Sequence, residues 1–345
     1  MILGSVTHVE TSDPGRTLVG AAAAGTAAAT DAPPAPAPPD PRERRFRLRR
    51  DETIAEGLRR VAGGQLAAAA DDLDGATKPE LDPAVHAARK RVKRARAALR
   101  LSRDAIDDDV YQRDNTQLRS IAARLSAARD ARVLFETLAD LGERFAADLP
   151  AHATAELRKR LHDEHERALE ALAAEDVAPA TAQALSQARA RTADWTFERE
   201  DFAAIEPSLR RIYRRGRKRL RAARAEPSAE NLHDCRKRAK DLWHVAQLLR
   251  PADPKRMKRL SRRAHELADA LGDHHDLSVL RDYVEVHPHH SEADPTRDAL
   301  LGAIDLRRDE LARRALELGR GVYKRRPKRF VADVRRGWRK RVETA

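Results

Sequence analysis

Two clusters of histidine, arginine and lysine share one spacing in this sequence. The pattern H-x-x-R-K-R-x-K begins at His86 and recurs 147 residues later, beginning at His233. Arginine donates forked hydrogen bonds to phosphate oxygens, lysine supplies a mobile charge, and histidine joins them when it is protonated. The pattern predicts a binding site for a phosphate-rich anion. Its ligands would be His86, Arg89, Lys90, Lys93 and Arg96 from the first copy and His233, Arg236, Lys237 and Lys240 from the second.

Both clusters are predicted to lie on amphipathic helices. On a helical wheel, Arg89, Lys90 and Lys93 lie within about 60° of His86, so the four side chains share one face of the helix. The opposite face of the first helix is apolar and holds Val85, Ala88, Val92, Ala95 and Leu99. The opposite face of the second helix holds Leu232, Cys235, Ala239, Leu242 and Ala246. Each helix should therefore bury one face and present a cationic face.

The positive charge is concentrated in a way that ordinary solvated helices avoid. Residues 85–103 hold eight Lys/Arg and no Asp/Glu, and like charges three or four residues apart cost a few tenths of a kcal/mol per pair. Residues 209–263 hold 20 Lys/Arg and five Asp/Glu, a net +15 that exceeds the +13 of the whole chain. A bound polyanion or carboxylates from neighbouring helices would offset this repulsion. A further predicted binding stripe on the same principle is Arg210, Arg214 and Arg217.

Composition excludes several classes of protein. The 345 residues have a mean hydropathy of −0.69, and no apolar run reaches the ~18 residues of a membrane span. The single cysteine excludes a disulfide scaffold and a cysteine-ligated metal site. We expect no cofactor, no bound metal and no catalytic residues. Because no secretory signal pattern is present, the expected compartment is the cytoplasm.

An internal duplication organises the chain. The segment Leu125–Asp130 aligns with Leu271–Asp276 at an offset of 146, close to the 147 of the first motif. Helical periodicity, few aromatic residues and few glycines predict an all-α fold made of one four-helix unit present twice. The aligned carboxylates Asp130 and Asp276 are expected to hold basic side chains in place.

The predicted boundaries follow from this repeat and from the prolines. Residues 1–45, with six prolines between Asp31 and Pro41, should form a flexible arm. The helical domain should span 46–325, with its first repeat at about 50–175, a connector at 176–202 and its second repeat at about 203–320. One long helix is expected at about 114–142, and another is expected to begin at Leu209. Residues 326–345 should form a basic C-terminal helix or tail.

These residues resemble the CHAD domain, the conserved histidine α-helical domain. The resemblance rests on His86-x-x-Arg89 with the basic residues that follow it, on the second copy of that motif and on Tyr213-Arg-Arg-Gly-Arg217. It implies two four-helix bundles related by a pseudo-twofold axis, with a basic central channel that binds inorganic polyphosphate, and association with polyphosphate granules. Two positions depart from the pattern, because Asp241 and Trp243 stand where the first copy has Arg94 and Arg96. The E-x-E-x-K motif of the triphosphatase-like domain found in many relatives does not occur here.

The leading hypothesis is therefore non-enzymatic binding of polyphosphate. The main alternative is a protein that binds the phosphate backbone of nucleic acids, which the charge permits but the scarcity of aromatic residues disfavours. A scaffold for an acidic protein and a metal-dependent phosphohydrolase also remain open, although adjacent residues such as His274 and His275 point about 100° apart on a helix. If His86 and His233 touch phosphate, affinity should rise as the pH falls through neutrality. The oligomeric state is left open.

Overall fold

The described residues of the computed structural model form an all-α fold, as predicted. These residues are 45–49, 51–147, 149, 154–174, 176–287 and 295–342, and they contain no β-strand. Most of the predicted flexible arm, residues 1–44, lies outside the described residues, so that prediction is untested. Within the described ranges, no helix combines the length and the apolar character needed to cross a membrane.

Eleven α-helices account for most of the described residues. The first half of the chain contains α1 (Ile54–Leu73), α2 (Leu81–Ser102), α3 (Asp108–Arg124), α4 (Ser126–Arg144), α5 (Ala155–Ala174) and α6 (Val177–Ala190). The second half contains α7 (Phe202–Ala225), α8 (Ala229–Leu248), α9 (Pro254–Val286), α10 (Pro295–Val322) and α11 (Pro327–Val342).

Side-chain caps mark the first turns of three helices, α1, α8 and α9. Thr53 caps α1, and the reciprocal bond from its own N–H to Glu56 completes a capping box. Ser228 caps α8, because the N–H of Asn231 donates to its hydroxyl over 3.3 Å. Asp253 caps α9 in the same way. These caps satisfy N–H groups that have no partner inside the helix.

The core is built from the apolar faces that the sequence indicated. The predicted apolar residues of α2 and of α8 are all buried, including Cys235. Helix α1 is rich in alanine and leucine and is buried on nearly all sides, since it packs against both α2 and α6. Because α2 and α8 each bury one face, their cationic faces are left to meet other polar surfaces.

Several contacts between helices recur in both halves of the chain. In the first half, α1 packs against α2 and α6, and α4 packs against α5. In the second half, α7 packs against α8 and α11, and α9 packs against α10. The C-terminal helix is thus attached to the core, where Phe330 stacks on Tyr213 with ring centroids 4.1 Å apart. The duplication itself stays a prediction from the sequence.

Three helix boundaries differ from those expected. The helix expected at about 114–142 is interrupted at Leu125 (φ −97°, ψ 15°), where the hydroxyl of Ser126 donates to the carbonyl of Ala123 and competes with the main chain. The expected connector contains α6, which buries Leu185 and several small residues against α1. Helix α7 begins at Phe202, seven residues earlier than expected, because Asp201 caps it and Pro207 is tolerated near its start.

Candidate polyanion-binding site

Two lysines, one from each copy of the motif, lie at the centre of the candidate site. Lys93 is on α2 and Lys240 is on α8, two helices that contact each other. Within the described residues neither lysine forms an ion pair with a carboxylate. The fold therefore brings the matching basic positions of the two motifs together.

The pKa values of these lysines show how crowded the positive charge is. Burial, together with Arg236, Lys93 and Arg129, lowers the pKa of Lys240 to about 7. Burial, with Arg89 and Arg129, lowers the pKa of Lys93 to about 8, although the Lys93 side chain remains accessible to solvent. Charged ammonium groups are thus disfavoured here, and a nearby anion would restore their ordinary pKa.

Three arginines complete what we call the central basic cluster, which consists of Arg89, Lys93, Arg129, Arg236 and Lys240. Arg129 projects from α4, and Arg89 donates to the carbonyl of Ala122 over 2.7 Å. The Nε groups of Arg89 and Arg236 are buried and have no hydrogen-bond partner among the described residues. The cluster therefore retains donors that are not fully used.

Carboxylates neutralise this cluster only in part. Asp276 lies 3.5 Å from Arg236 and 3.9 Å from Arg129, and Asp130 lies 2.9 Å from Arg129. The expected pairing between helices is confirmed for Asp276, whereas Asp130 pairs with its neighbour Arg129 on the same helix. Against five cations, these are the two carboxylates that pair with the cluster in the described residues, so an excess of positive charge remains.

The two motif histidines lie near the cluster, and the pKa of each is lowered. The His233 ring lies 4.3 Å from the His275 ring, and burial with Lys237 and Arg236 lowers the pKa of His233. Partial burial, Arg132 and Lys93 lower the pKa of His86, whose side chain still reaches solvent. The expected pH dependence through the histidines stays a prediction, and the two lysines are further groups that titrate near neutrality.

An arginine-lined pocket extends the cationic face of α2 beyond the cluster. Its volume is about 300 Å³. The arginine pocket, as we call it, is lined by Arg96, Arg100, Arg103, Arg119, Arg211, Arg215 and Arg238, together with Tyr111, Asn115, Ile212 and Asp241. Burial, Arg100 and Arg119 lower the pKa of Arg96 to about 10. Electrostatic repulsion therefore continues along α2 from the cluster into the pocket.

Asp241 is the carboxylate that holds the arginine pocket together. It is buried and lies 3.0 Å from Arg100 on α2 and 3.0 Å from Arg238 on its own helix. The departure from the basic residue at the corresponding position thus creates an ion pair between α2 and α8. Trp243, the other departure, stacks between His244 and His265, with ring centroids 4.6 Å and 4.0 Å away.

The remaining predicted ligands are distributed unevenly. Lys90 is exposed on α2, and Lys237 pairs with Asp234 over 3.1 Å. Arg210 pairs with Glu206 over 2.9 Å, and Arg217 donates to the carbonyl of Arg325. Arg214 is exposed on α7. The structure does not join Arg210 or Arg217 to the central basic cluster.

Several basic residues of the site were not among the predicted ligands. Arg129, Arg119 and Arg238 come from α4, α3 and α8, and the other helices that form the site with them are distant in the sequence. The face of α7 that turns toward α2 carries Arg211 and Arg215, rather than the neighbouring stripe that contains Arg210. Their signal in the sequence was the net charge of residues 209–263, which does not identify a face.

Comparisons with known proteins find a similar solved structure and a matching family model. One solved structure, PptA from Streptomyces chartreusis, superposes with a TM-score of 0.51 at 18% sequence identity, over 79% of this chain and 98% of the other. No curated protein matches the chain. The family model for the CHAD domain matches residues 28–285, about three quarters of the sequence. That range includes both motif helices and the central basic cluster, and the chain therefore belongs to the CHAD domain family.

Proposed function

We propose that this protein binds inorganic polyphosphate along the central basic cluster and the arginine pocket. Membership of the CHAD domain family supports this ligand, because polyphosphate binding is what the resemblance to that family implies. The observation that carries the proposal is that contact between α2 and α8 brings Lys93 and Lys240, one from each motif copy, into one cluster in which neither forms an ion pair with a described carboxylate. A site that disfavours its own cations when empty is stabilised when a polyanion binds.

The length of the cationic surface favours a chain of phosphates over a single small anion. Four cations follow one face of α2 from Arg89 to Arg100, which at 1.5 Å per residue is about 16 Å. Orthophosphate would contact only one end of this row. A linear polyphosphate would contact the cluster and the pocket together.

The chemistry of the lining favours polyphosphate over nucleic acid. Tyr111 is the aromatic residue that lines the arginine pocket, and the central basic cluster contains none. Proteins that bind single-stranded nucleic acids combine a cationic groove with aromatic platforms for base stacking. This surface offers charge without such platforms.

Graded ligand length is the first test. Isothermal titration with orthophosphate, ATP, tripolyphosphate and long-chain polyphosphate at ~0.15 M salt should give affinities that rise steeply with length. Binding should also weaken as salt increases, because bound phosphates release counterions. Equal affinity for ATP and for the long chain would contradict the proposal, and so would preference for single-stranded DNA of equal charge.

A variant series tests the site itself. Replacing Arg89, Lys93, Arg236 and Lys240 together by Gln should lower the affinity for long-chain polyphosphate at least a hundredfold, since four phosphate contacts are removed. The smaller variant Lys93→Gln/Lys240→Gln serves if the fourfold variant does not fold. The matched control replaces four exposed cations elsewhere, Arg158, Lys159, Arg167 and Arg199, by Gln. Equal losses in the site variant and in the control would remove the cluster from the binding site.

The proposed role is binding without turnover, at cytoplasmic polyphosphate granules. The family resemblance supports granule association, and the absence of the E-x-E-x-K motif supports the lack of catalysis. Incubation with polyphosphate and Mg²⁺ or Mn²⁺ should release no orthophosphate. A fluorescent fusion of the whole chain should colocalise with polyphosphate granules, and the fourfold variant should not.

A further inference from the structure

A second basic pocket lies at the C-terminal ends of α7 and α10. Its volume is about 480 Å³. Among the described residues that line it, five are cations and none is a carboxylate. We call it the C-terminal pocket, and its polar lining consists of Arg217, Arg221, Arg224, Arg320, Lys324 and Tyr323.

Close packing of the two helices creates this pocket. The Tyr323 ring lies so near the backbone of α7 that a Cβ on Gly216 would come within 2.3 Å of it. One turn further along α7, Leu220 packs against Gly319 of α10, where a Cβ would come within 2.4 Å. The glycines let the helices approach, and the approach holds the cations of both helices around one space.

Four cations of the C-terminal pocket have no carboxylate partner among the described residues. Arg221, Arg224, Arg320 and Lys324 are exposed, and no ion pair joins them to a described carboxylate. Some exposed arginines elsewhere have such a partner, as Arg144 has Glu310 at 2.9 Å, and others, such as Arg199, have none among the described residues. Arg217 donates to the main-chain carbonyl of Arg325.

A structural role for these charges explains only some of them. Cations in the last turn of a helix interact favourably with its dipole, which accounts for Arg224 on α7 and Arg320 on α10. It does not account for Arg221 or Lys324, or for five cations around a single pocket with no carboxylate. An external anion remains the simplest counter-charge.

The C-terminal pocket is separate from the site described above. On α7, Arg211 and Arg215 face the arginine pocket, whereas Arg217, Arg221 and Arg224 face the other way. At 100° per residue, the two groups point roughly 80° to 180° apart. The buried side chains of Tyr213 and Leu220 lie between the two groups on one side of α7, and the exposed Arg214 and Lys218 lie between them on the other. The two pockets share no lining residue.

We propose that the C-terminal pocket is a second, independent site for a stretch of polyphosphate. The choice of ligand rests on the proposed function, because both sites offer arginine and lysine to phosphate oxygens. The protein is then bivalent, and a long polyphosphate chain joins the central site of one molecule to the C-terminal pocket of another. Bivalent binding raises avidity and links chains into a network.

The test counts binding sites in the full-length protein with polyphosphate about ten phosphates long. The C-terminal variant replaces Arg221, Arg224, Arg320 and Lys324 by Gln, and the central variant is Lys93→Gln/Lys240→Gln. The four-cation control defined above changes the same number of exposed charges as the C-terminal variant. Wild type and control should bind two short chains per molecule. The C-terminal variant should bind one, because the affinity of its C-terminal pocket should be at least tenfold lower than in wild type. Circular dichroism verifies that the variants remain helical.

Light scattering with long-chain polyphosphate gives a second readout. Wild type should form large assemblies near charge equivalence, whereas the C-terminal variant should coat the chain without cross-linking it. A C-terminal variant that matches the control in both stoichiometry and scattering overturns the inference. If instead the central variant binds as wild type does while the C-terminal variant loses all binding, the proposed function of the central site fails and the C-terminal pocket stands. Displacement from the C-terminal pocket by single-stranded DNA more readily than by polyphosphate of equal charge would overturn the choice of ligand.

Discussion

The affinity for polyphosphate should fall steeply as the pH rises from 6.5 to 9. In the empty protein the pKa of Lys240 is about 7 and that of Lys93 is about 8. Both lysines are therefore largely neutral at pH 9 before ligand binds. A bound polyanion favours their charged forms, so binding at that pH requires the uptake of protons.

The size of the effect follows from these values. If the ligand restores the lysines to the ordinary pKa of about 10.4, raising the pH from 6.5 to 9 weakens binding about 100-fold through Lys240 and about tenfold through Lys93. The product, about 10³-fold, is an upper limit, because solvent already reaches Lys93 and limits the restoration. At pH 8 the same values predict an uptake of roughly one to two protons per bound chain.

Calorimetric titration measures both quantities. Long-chain polyphosphate is the suitable ligand, because only its terminal phosphates titrate near neutrality, and the ionic strength is held constant across the series. Titrations at pH 8 in two buffers of different ionisation enthalpy give the number of protons taken up. Lys240→Gln should remove most of the pH dependence, and Lys93→Gln/Lys240→Gln should remove nearly all of it.

Three results would refute this reasoning. An unchanged pH profile in the double variant would show that the lysines are not the titrating groups. A wild-type transition confined to the range below pH 6.5 would assign the effect to His86 and His233, whose pKa values are lowered from 6.5. A rise in affinity from pH 6.5 to 9 would contradict any cationic site.

Three further predictions concern the stability of the ligand-free protein. Because the folded-state pKa of Lys240 is lowered, the unfolded chain binds more protons between about pH 7 and 10, and wild-type stability should rise with pH across that window. Lys240→Met should flatten this rise. In differential scanning calorimetry at pH 6.5, the same substitution should increase Tm by about 2 °C or more. Gly216→Ala should cost about 1–3 kcal/mol by denaturant unfolding, because the new Cβ meets the Tyr323 ring, whereas Gly302→Ala, with nothing within 4 Å, should be neutral or slightly stabilising; equal effects would contradict the packing argument. Asp241→Asn should lower the free energy of unfolding by on the order of 2 kcal/mol and raise polyphosphate affinity at low salt, and a loss of affinity would contradict the pocket's proposed role.

The sequence predicted those parts of the fold that depend on helical periodicity. The apolar faces of α2 and α8 could be read directly, because strong contrast between alanine or leucine and arginine at a period of 3.6 has one structural solution. The split between α3 and α4 could not, since it depends on one buried leucine and a serine hydroxyl that competes for a carbonyl. Helix α6 was missed because its alanine-rich sequence has weak contrast, and only contact with α1 identifies its buried face.

The candidate binding site was predictable to a similar extent. The prediction was incomplete for a related reason. The motif identified Arg89, Lys93, Arg236 and Lys240, because each copy is local in sequence. The arginine pocket combines α2, α3, α7 and α8, so membership in it depends on how distant helices pack. A charge excess of +15 over residues 209–263 indicated that cations must face something, but it did not indicate which side of α7 faces α2.

The pKa values of the two central lysines connect stability to binding in this protein. Arg132 has direct carboxylate partners, Asp82 at 2.8 Å and Glu136 at 2.7 Å, whereas Asp130 and Asp276 act on Lys93 and Lys240 without forming a direct ion pair. The two lysines instead face arginines from α2, α4 and α8, so the empty site opposes its own folding. Loss of the lysine protons at higher pH relieves this repulsion, and a bound anion would relieve it with the protons retained. The affinity for polyphosphate and the instability of the ligand-free protein therefore have the same origin. Substitutions that stabilise the ligand-free protein at these lysines should weaken polyphosphate binding in proportion.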